Sequence, residues 1–299
     1  MAQDKTFGFL FLSLLGWFPL AAAGQQLNKI DISLNTGYQS ENFGWSIAGN
    51  LNGQNPNIYS ELKWDHLQEI KYSSYLTYRI AHNFYFLSGY DHDFILSGEV
   101  SDIDYGSDNR TMPINQGKFQ DNRGYSDQAF IGVGMTILKN TKSQIALESG
   151  YISTHQSLYI LGIGDQYPDL NTTYFTTWKG IFLTEIIEYT INKKFRLEEK
   201  VSYSQLNYQA KANWNLITQF AHPISYRDNA SGYNLLLRPA IIYQLSKQLA
   251  INLSGAISHS QTGTGADRLY VANGTVEETQ FNRAKGNTVQ LTTGLALGF

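Results

Sequence analysis

The last segment of the sequence alternates strictly between two kinds of side chain. From residue 288 to 299, apolar residues and one threonine occupy every second position, and small or polar residues lie between them. The apolar face ends on an aromatic residue, Phe299. Since neighbouring residues of a β-strand point to opposite faces, this period of two predicts a strand with one apolar face. A half-buried strand of a soluble sheet and a strand of a membrane barrel both show this pattern. The rest of the chain decides between these two alternatives.

The alternation recurs along the chain, and it predicts strands at about 29–40, 58–80, 84–105, 127–138, 143–153, 176–191, 195–212, 231–245, 248–259 and 286–299. The connections alternate in length. Short turns lie near 81–83, 139–142, 192–194 and 246–248, and long polar segments near 41–57, 106–126, 154–175, 213–230 and 260–285. Short periplasmic turns and long external loops are typical of barrels that span the outer membrane. The sequence therefore predicts an all-β protein, a ten-stranded antiparallel transmembrane β-barrel in the bacterial outer membrane.

The first residues predict export. Lys5 precedes an apolar run from Phe7 to Leu20, which is followed by Ala21-Ala22-Ala23. A basic start, a short apolar core and small residues at the exit are typical of a secretory signal peptide. The alternative is an anchor helix, for which the run is short. We expect residues 1–23 to be the signal peptide and residues 24–299 to form the barrel.

The interior of the barrel is predicted to be charged. On the second predicted strand, Leu62, Trp64, Ile70, Tyr72, Leu76 and Tyr78 share one face, opposite Glu61, Lys63, Asp65, Glu69, Lys71 and Arg79. Inward positions elsewhere add Glu148, Arg196, Glu198, Lys200 and Arg238. Buried charges have to pair, and a ten-stranded barrel is narrow. We therefore expect ion pairs and hydrogen bonds to fill most of the lumen, which argues against a wide diffusion pore.

Few motifs for chemistry are present. The sequence has no phosphate-binding glycine loop, zinc-protease helix motif, nucleophile elbow or cysteine cluster, so no cofactor and no metal site is predicted. The Asp91-His92-Asp93 triplet is interpreted as exposed barrel wall or rim. The net charge of −3 gives no basic field for nucleic acid.

Two places could carry chemistry. Asp102 and Asp104 share a face at the outer end of the third predicted strand, where two close carboxylates can share a proton or position a water. The alternative is a cluster that orders the loop, with Arg110 neutralising both aspartates. His222 lies in the loop before the eighth predicted strand, and it could be a base that activates water or an ordinary loop histidine.

The order of strands and loops resembles that of the omptins, ten-stranded outer-membrane proteases with an aspartate pair opposite an Asp-x-His dyad. Residues that carry the resemblance are Leu62-Lys63-Trp64, Asp102-Ile103-Asp104-Tyr105, Ser149-Gly150-Tyr151, His222 and Tyr226-Arg227. The resemblance implies that Asp102, Asp104 and His222 are the catalytic residues. Two departures oppose this, because Phe220 stands where the dyad has its aspartate, and Ser153 and His155 stand where omptins bind lipopolysaccharide with Glu and Arg.

A second resemblance is local. Ser60-Glu61-Leu62-Lys63-Trp64, followed by Asp102, Asp104-Tyr105 and Asp108-Asn109-Arg110, is similar to the Protochlamydia outer membrane protein family. That family comprises omptin-like barrels of porin-like or unassigned function. It implies that the two aspartates belong to an ordered loop motif and do not by themselves indicate catalysis.

Two hypotheses follow. The first is an omptin-like outer-membrane barrel without proteolysis, with a porin-like, structural or surface-interaction role. The second is an omptin-type endopeptidase in which Asp102, Asp104 and His222 activate water, with Asp228 or Asp267 replacing the missing acid. The expected partners are outer-membrane lipid, including lipopolysaccharide, and the barrel assembly machinery through Phe299.

Overall fold

The computed structural model describes residues 28–299, so the predicted signal peptide, residues 1–23, lies outside the described residues. These residues form eleven antiparallel strands: β1 (Ile30–Ile47), β2 (Ser60–Arg79), β3 (Phe84–Ser107), β4 (Thr111–Gln120), β5 (Tyr125–Lys139), β6 (Ser143–Leu161), β7 (Asn171–Thr190), β8 (Phe195–Asn213), β9 (Tyr226–Gln244), β10 (Leu249–Tyr270) and β11 (Val276–Gly298). Among them no helix is long and apolar enough to cross a membrane.

The sheet closes on itself. β1 pairs with β2 on one side and with β11 on the other, and each later strand pairs with its neighbours around the ring. β3 pairs along its lower part with β5 and along its upper part with β4. β4 and β5 therefore follow one another in the same wall, interrupted at 121–124, and eleven strands fill ten barrel positions. The all-β prediction is confirmed, although β4 lies in a segment predicted to be a loop.

A band of exposed apolar and aromatic side chains surrounds the barrel. It contains Leu34, Tyr38, Tyr72, Leu76, Phe86, Phe94, Ile131, Val133, Ile181, Leu183, Leu253, Val289, Leu291, Leu295 and Phe299. Such an outward band is what lipid requires of a transmembrane barrel. Above the band the strands continue, so parts of the predicted loops 154–175, 213–230 and 260–285 are strands in the structure. The alternation of apolar and polar residues fades there, because neither face of the sheet contacts lipid above the band.

A bulge in β2 reverses which residues point inward. The register with β3 shifts at Asp65 and Gln68, and His66 has a left-handed backbone with φ of 53°. One extra residue moves every following side chain to the opposite face. Below the bulge Lys71 points inward as predicted, but above it Leu62 and Trp64 point inward and are fully buried. The predicted common face of Leu62 and Trp64 with Ile70 and Tyr72 is therefore wrong.

An aromatic plug closes the lumen above the lipid band. We use this name for Phe43, Trp45, Trp64, Tyr174, Trp178, Tyr208 and Phe281, all of them buried. The Trp64 and Tyr174 ring centroids are 5.4 Å apart, and those of Trp178 and Tyr208 are 4.6 Å apart. The Trp64 indole Nε1 donates a hydrogen bond of 2.9 Å to the Tyr159 carbonyl of β6. Buried aromatic side chains contribute large apolar areas, so the plug stabilises the upper barrel as a hydrophobic core.

Below the plug the lumen is charged, as predicted. The Lys71 ammonium lies 3.2 Å from an Asp91 carboxylate oxygen and 3.0 Å from Asp93. Asp91 also accepts a hydrogen bond of 2.8 Å from the Tyr75 hydroxyl. The triplet interpretation is therefore wrong for its two aspartates, which point into the lumen, whereas His92 lies on the outer wall. A cavity of about 290 Å³ remains in the lower lumen, lined by Glu148, Arg196, Glu198, Lys200 and Arg238 among others.

Candidate functional site at the external mouth

Asp102 and Asp104 lie on top of the aromatic plug. Both are in the upper part of β3, above the bulge, where Asp102 pairs across the ladder with Leu62 and Asp104 with Ser60. Residues that face each other across a ladder share a side of the sheet, so both carboxylates point into the barrel mouth. Each side chain is partly exposed. The predicted aspartate pair is thus an inward-facing feature of the mouth, supported from below by a hydrophobic core.

The electrostatic surroundings of the pair are unusual. Burial against the plug, reinforced by repulsion from Asp104, raises the pKa of Asp102 from 3.8 to about 7. Among the residues that the structure describes, no cation or hydrogen-bond donor opposes this shift. Asp104 accepts one hydrogen bond of 3.2 Å from the Asn115 amide. A carboxyl group that titrates near neutral pH can act as a general acid or base, and it can also attract a cation.

Arg110 does not neutralise the aspartates. Its guanidinium donates to Glu61 at 2.7 and 3.1 Å, on the outer side of the barrel wall. The loop is ordered instead by Asp108 and Asn109, since Asp108 accepts from the Asn57 backbone N–H at 2.8 Å and the Asn109 N–H donates to the Asn57 side chain at 2.8 Å. Asp108 and Asn109 therefore order the loop, Arg110 pairs with Glu61, and no salt bridge within residues 28–299 joins a cation to Asp102 or Asp104.

Tyr226 faces the aspartates from the opposite wall. It begins β9, which is five barrel positions from β3 in either direction. Its ring packs 5.4 Å from Trp214 and 5.3 Å from Phe220. Burial raises its pKa, and the carboxylates of Asp267, Asp104 and Asp102 raise it further. The phenol therefore stays protonated and lies in the same mouth as the aspartate pair, as a hydrogen-bond donor.

A second carboxyl pair lies deeper in the mouth. Asp228 and Asp267 face each other directly across β9 and β10. Asp228 accepts a hydrogen bond of 2.7 Å from the Tyr174 hydroxyl, and Asp267 accepts one of 3.0 Å from Thr279. Burial is the main cause of the raised pKa values of both aspartates, and each lies within hydrogen-bonding reach of the other. Two buried carboxyl groups in contact can hold a shared proton, and the hydrogen bond from Tyr174 connects this pair to the plug.

His222 is exposed, and an amide orients its ring. Its Nδ1 lies 2.7 Å from the side-chain oxygen of Asn213, at the end of β8. Phe220, at the position of the missing dyad acid, forms a β-bridge with Val271 and packs edge-on against Tyr226. Within residues 28–299 no hydrogen bond joins His222 to Asp102, Asp104, Asp228 or Asp267. An amide oxygen can fix the imidazole tautomer but supplies no charge to stabilise the imidazolium. No sequence signal linked Asn213 with His222.

The comparisons with known proteins agree with this architecture. The sequence profile described as Pom, Protochlamydia outer membrane protein, matches residues 33–299. The chain belongs to this family. The family and the shared barrel fold place this Protochlamydia-type outer membrane protein in the bacterial outer membrane, as predicted. The sequence matches no curated protein.

Solved structures with a similar fold include the outer membrane protease OmpT from Escherichia coli, at a TM-score of 0.70 with 15% identity, over 93% of this chain and 99% of that chain. The translocator domain of the autotransporter NalP from Neisseria meningitidis matches at a TM-score of 0.43 with 8% identity, over 94% and 91% of the two chains. OprG from Pseudomonas aeruginosa matches at 0.39 with 10% identity, over 91% and 97%. At such identities the likeness to OmpT concerns the fold alone.

The outer wall of this Protochlamydia-type protein carries a polar belt among the upper residues of the lipid band, where His92 contacts Phe94. Its members are Tyr90, His92, Asp127, Ser153, His155 and Thr177. His92 Nδ1 lies 2.6 Å from Asp127, and His155 contacts Ser153 at 3.1 Å and Thr177 at 3.0 Å. Ser153 and His155 thus form a small hydrogen-bonded set, where the omptin resemblance would have an acid and an arginine. Among the described residues no group of three or more ligating side chains has the arrangement of a metal site.

Proposed function

We propose that this protein acts at the cell surface through the external mouth of its barrel, as a non-proteolytic binding protein for cationic ligands. The single observation that carries the proposal is the Asp102 and Asp104 pair, which opens to the outside above a sealed lumen. Of the porin-like and surface-interaction roles, the aromatic plug favours the second, because rings from opposite walls meet at the level where a solute would have to pass.

The charges of the mouth support a cationic ligand. Asp102, Asp104, Asp228 and Asp267 all point inward, whereas Lys63 on β2 and Arg110 after β3 point outward and pair with Glu61. Two partly exposed carboxylates without a counter-charge lower the free energy of a cation between them, and low-dielectric walls strengthen the attraction. Tyr226 adds an aromatic face and a hydroxyl donor from the opposite wall.

The proposal is tested by binding and conductance together. The folded barrel in lipid nanodiscs is titrated with a labelled oligolysine, and the same protein is inserted into planar bilayers. We expect binding that the Asp102→Asn, Asp104→Asn double variant weakens at least tenfold, no steady conductance, and no change for Asp165→Asn, which removes an equal charge from an exposed loop. Equal binding by the double variant, or a steady open-channel current, contradicts the proposal.

A second candidate function is endopeptidase activity. It is favoured by one observation: Tyr226 faces the aspartate pair from the opposite wall, and both carboxylates help to raise the pKa of its phenol. In that function Asp102 accepts a proton from water while the water oxygen bonds to the peptide carbonyl carbon. The C–N bond then breaks, and the proton passes from Asp102 to the departing amine. The folded protein is incubated with lipopolysaccharide and a fluorogenic peptide containing paired basic residues. Cleavage that His222→Ala and Asp102→Asn abolish would replace the first proposal with this one, whereas intact peptide supports the first.

Two partners are proposed on separate grounds. The polar belt fits lipid headgroups of the outer leaflet, lipopolysaccharide among them, because its polar groups lie on the outer wall beside upper residues of the lipid-facing band such as Phe94. Phe299 presents an exposed ring at the end of β11, and its backbone N–H donates 2.9 Å to the Ile30 carbonyl. We expect the assembly machinery to recognise this terminal aromatic, and Phe299→Ala to lower the folded fraction in membranes while the soluble precursor persists.

A further inference from the structure

The strand β4 has one free edge. Its residues pair with β3 on one side, but on the other side β4 meets β6 at a single pair, Gln120 with Leu161, the last residue of β6. Within residues 28–299, the rest of β4 therefore has no neighbouring strand on this side. Its residues from Thr111 to Gln116 are all exposed. An edge with unpaired N–H and C=O groups is a template for pairing with another extended segment.

The direction of the free groups follows from the ladder. The Tyr105 N–H donates 2.8 Å to the Tyr59 carbonyl, away from β4, and the Asp121 N–H donates 2.9 Å to Gly98 on β3. Backbone groups alternate sides along a strand, so Asn115, Gly117 and Phe119 bond to β3. Ile114, Gln116 and Lys118 point their N–H and C=O groups to the free edge, where no backbone bond from them occurs within residues 28–299. Above these residues Pro113 has no N–H, although the pairing of β4 with β3 continues to Thr111 and Ser107.

We propose that the free edge at Ile114, Gln116 and Lys118 binds an extended peptide by β-strand addition, with basic side chains of the peptide facing Asp102 and Asp104. The basic character of the peptide rests on the function proposed for the mouth, whereas strand addition at the β4 edge does not depend on that function. Main-chain hydrogen bonds would supply affinity and alternate side chains specificity.

The inner face of the edge shows where a basic side chain would lie. Gly117 pairs directly with Asp102, and Asn115 with Asp104. A peptide residue opposite Gly117 is therefore two strand spacings from Asp102, about 10 Å, with no side chain of Gly117 between them. The partly exposed Phe119 ring lies beside Gly117, so that a side chain at Gly117 would collide with it. A lysine or arginine crossing there passes an aromatic face and then reaches the carboxylate.

A second copy of this chain fits the edge less well. Pairing two β4 edges would bring two acidic mouths side by side, and like charges oppose that approach. Pro113 and Lys118 are residues that natural edge strands use against self-association. On the outer face, Lys118 favours an acidic or neutral residue at the facing peptide position.

The experiment uses the folded full-length barrel and a labelled peptide of alternating lysine and threonine, followed by fluorescence anisotropy. With lysines facing the mouth, the threonine backbone groups bond to β4. N-methylation of the central threonines should therefore weaken binding at least tenfold, and N-methylation of the central lysines should change it by less than about twofold. Gln116→Pro removes a free N–H of β4 but no hydrogen bond to β3. This variant should bind the unmethylated peptide at least tenfold more weakly than the wild type does.

The outcomes separate the two proposals. If Gln116→Pro and both methylated peptides bind like their parents, or if the parent peptide does not bind, the edge proposal is overturned. If Gln116→Pro weakens binding and the Asp102→Asn, Asp104→Asn double variant does not, the result supports the edge proposal and contradicts the function proposed for the acidic mouth. A wild-type dimer in sedimentation that Gln116→Pro converts to a monomer shows self-pairing and overturns the peptide as occupant. The shift in gel mobility on heating verifies that each variant is folded.

Discussion

Phe43 on β1 and Tyr174 on β7 contact each other across the full width of the barrel, with ring centroids 6.3 Å apart. The two strands are five barrel positions apart in either direction. Tyr174 also donates a hydrogen bond to Asp228, so that the plug and the acidic mouth share a residue. The arrangement separates the lumen into a lower charged part and an upper hydrophobic part, and it explains why the carboxyl groups above it are poorly solvated.

Removing a plug ring should destabilise the barrel and open it. Trp64→Ala deletes a fully buried side chain and its hydrogen bond to Tyr159, so we expect a loss of about 3–5 kcal/mol in the free energy of unfolding. The double variant Phe43→Ala, Trp64→Ala should in addition show a steady bilayer current. Urea unfolding in lipid vesicles and planar-bilayer recording measure the two effects. The control is Tyr72→Ala on the lipid face, which should leave the lumen closed.

The stability contributed by Asp102 should fall with rising pH. Because its folded-state pKa of about 7 lies above the ordinary 3.8, the folded protein favours the protonated form. The contribution is fully present below about pH 4 and is lost as the pH rises through about 7. Asp102→Asn resembles the protonated acid permanently. The free energy of unfolding of the wild type should therefore decline, relative to that of the variant, between these pH values. Parallel curves in urea titrations across that range would contradict the shifted pKa.

The sequence predicted the lower barrel better than the mouth. The alternation that ends at Phe299 exists because lipid meets one face and the lumen the other, and it therefore located the wall strands correctly. Above the lipid both faces meet water or a plug, and β4 shows no alternation that would reveal it. One bulge at His66 turned Leu62 and Trp64 inward, which a parity argument along an uninterrupted strand cannot detect. The contact of His222 with Asn213 depends on how a loop returns to β8, and no spacing rule encodes it.

If Asp228 and Asp267 share a proton, two substitutions at position 228 should have different effects. Asn at position 228 can still accept from Tyr174 and can donate to Asp267, so Asp228→Asn should keep the wild-type stability. Asp228→Ala leaves the buried Tyr174 hydroxyl and Asp267 without this partner, which should cost about 1–3 kcal/mol. Burial raises the pKa of Asp228, so the folded wild type loses stability as the pH increases and this carboxyl group ionises. The free energy of unfolding of the asparagine variant should therefore rise relative to that of the wild type. Equal damage by both substitutions, measured by urea unfolding, would exclude a proton-sharing pair.

The ion pairs of the lower lumen should be the most sensitive part of the barrel to loss of one partner. Lys71 lies within 3.2 Å of Asp91 and Asp93, and all three side chains are buried. Lys71→Met leaves two carboxylates buried without their cation, and breaking a buried pair in this way costs about 3–5 kcal/mol. The matched control is Arg268→Met, which removes the cation of an exposed pair with Glu278 at 3.1 Å and should cost at most about 1 kcal/mol. Restoring neutrality in the triple variant Lys71→Met, Asp91→Asn, Asp93→Asn should recover much of the loss. Unfolding midpoints in lipid vesicles test the series, and a Lys71→Met variant as stable as Arg268→Met would show that water, rather than Lys71, compensates the two aspartates.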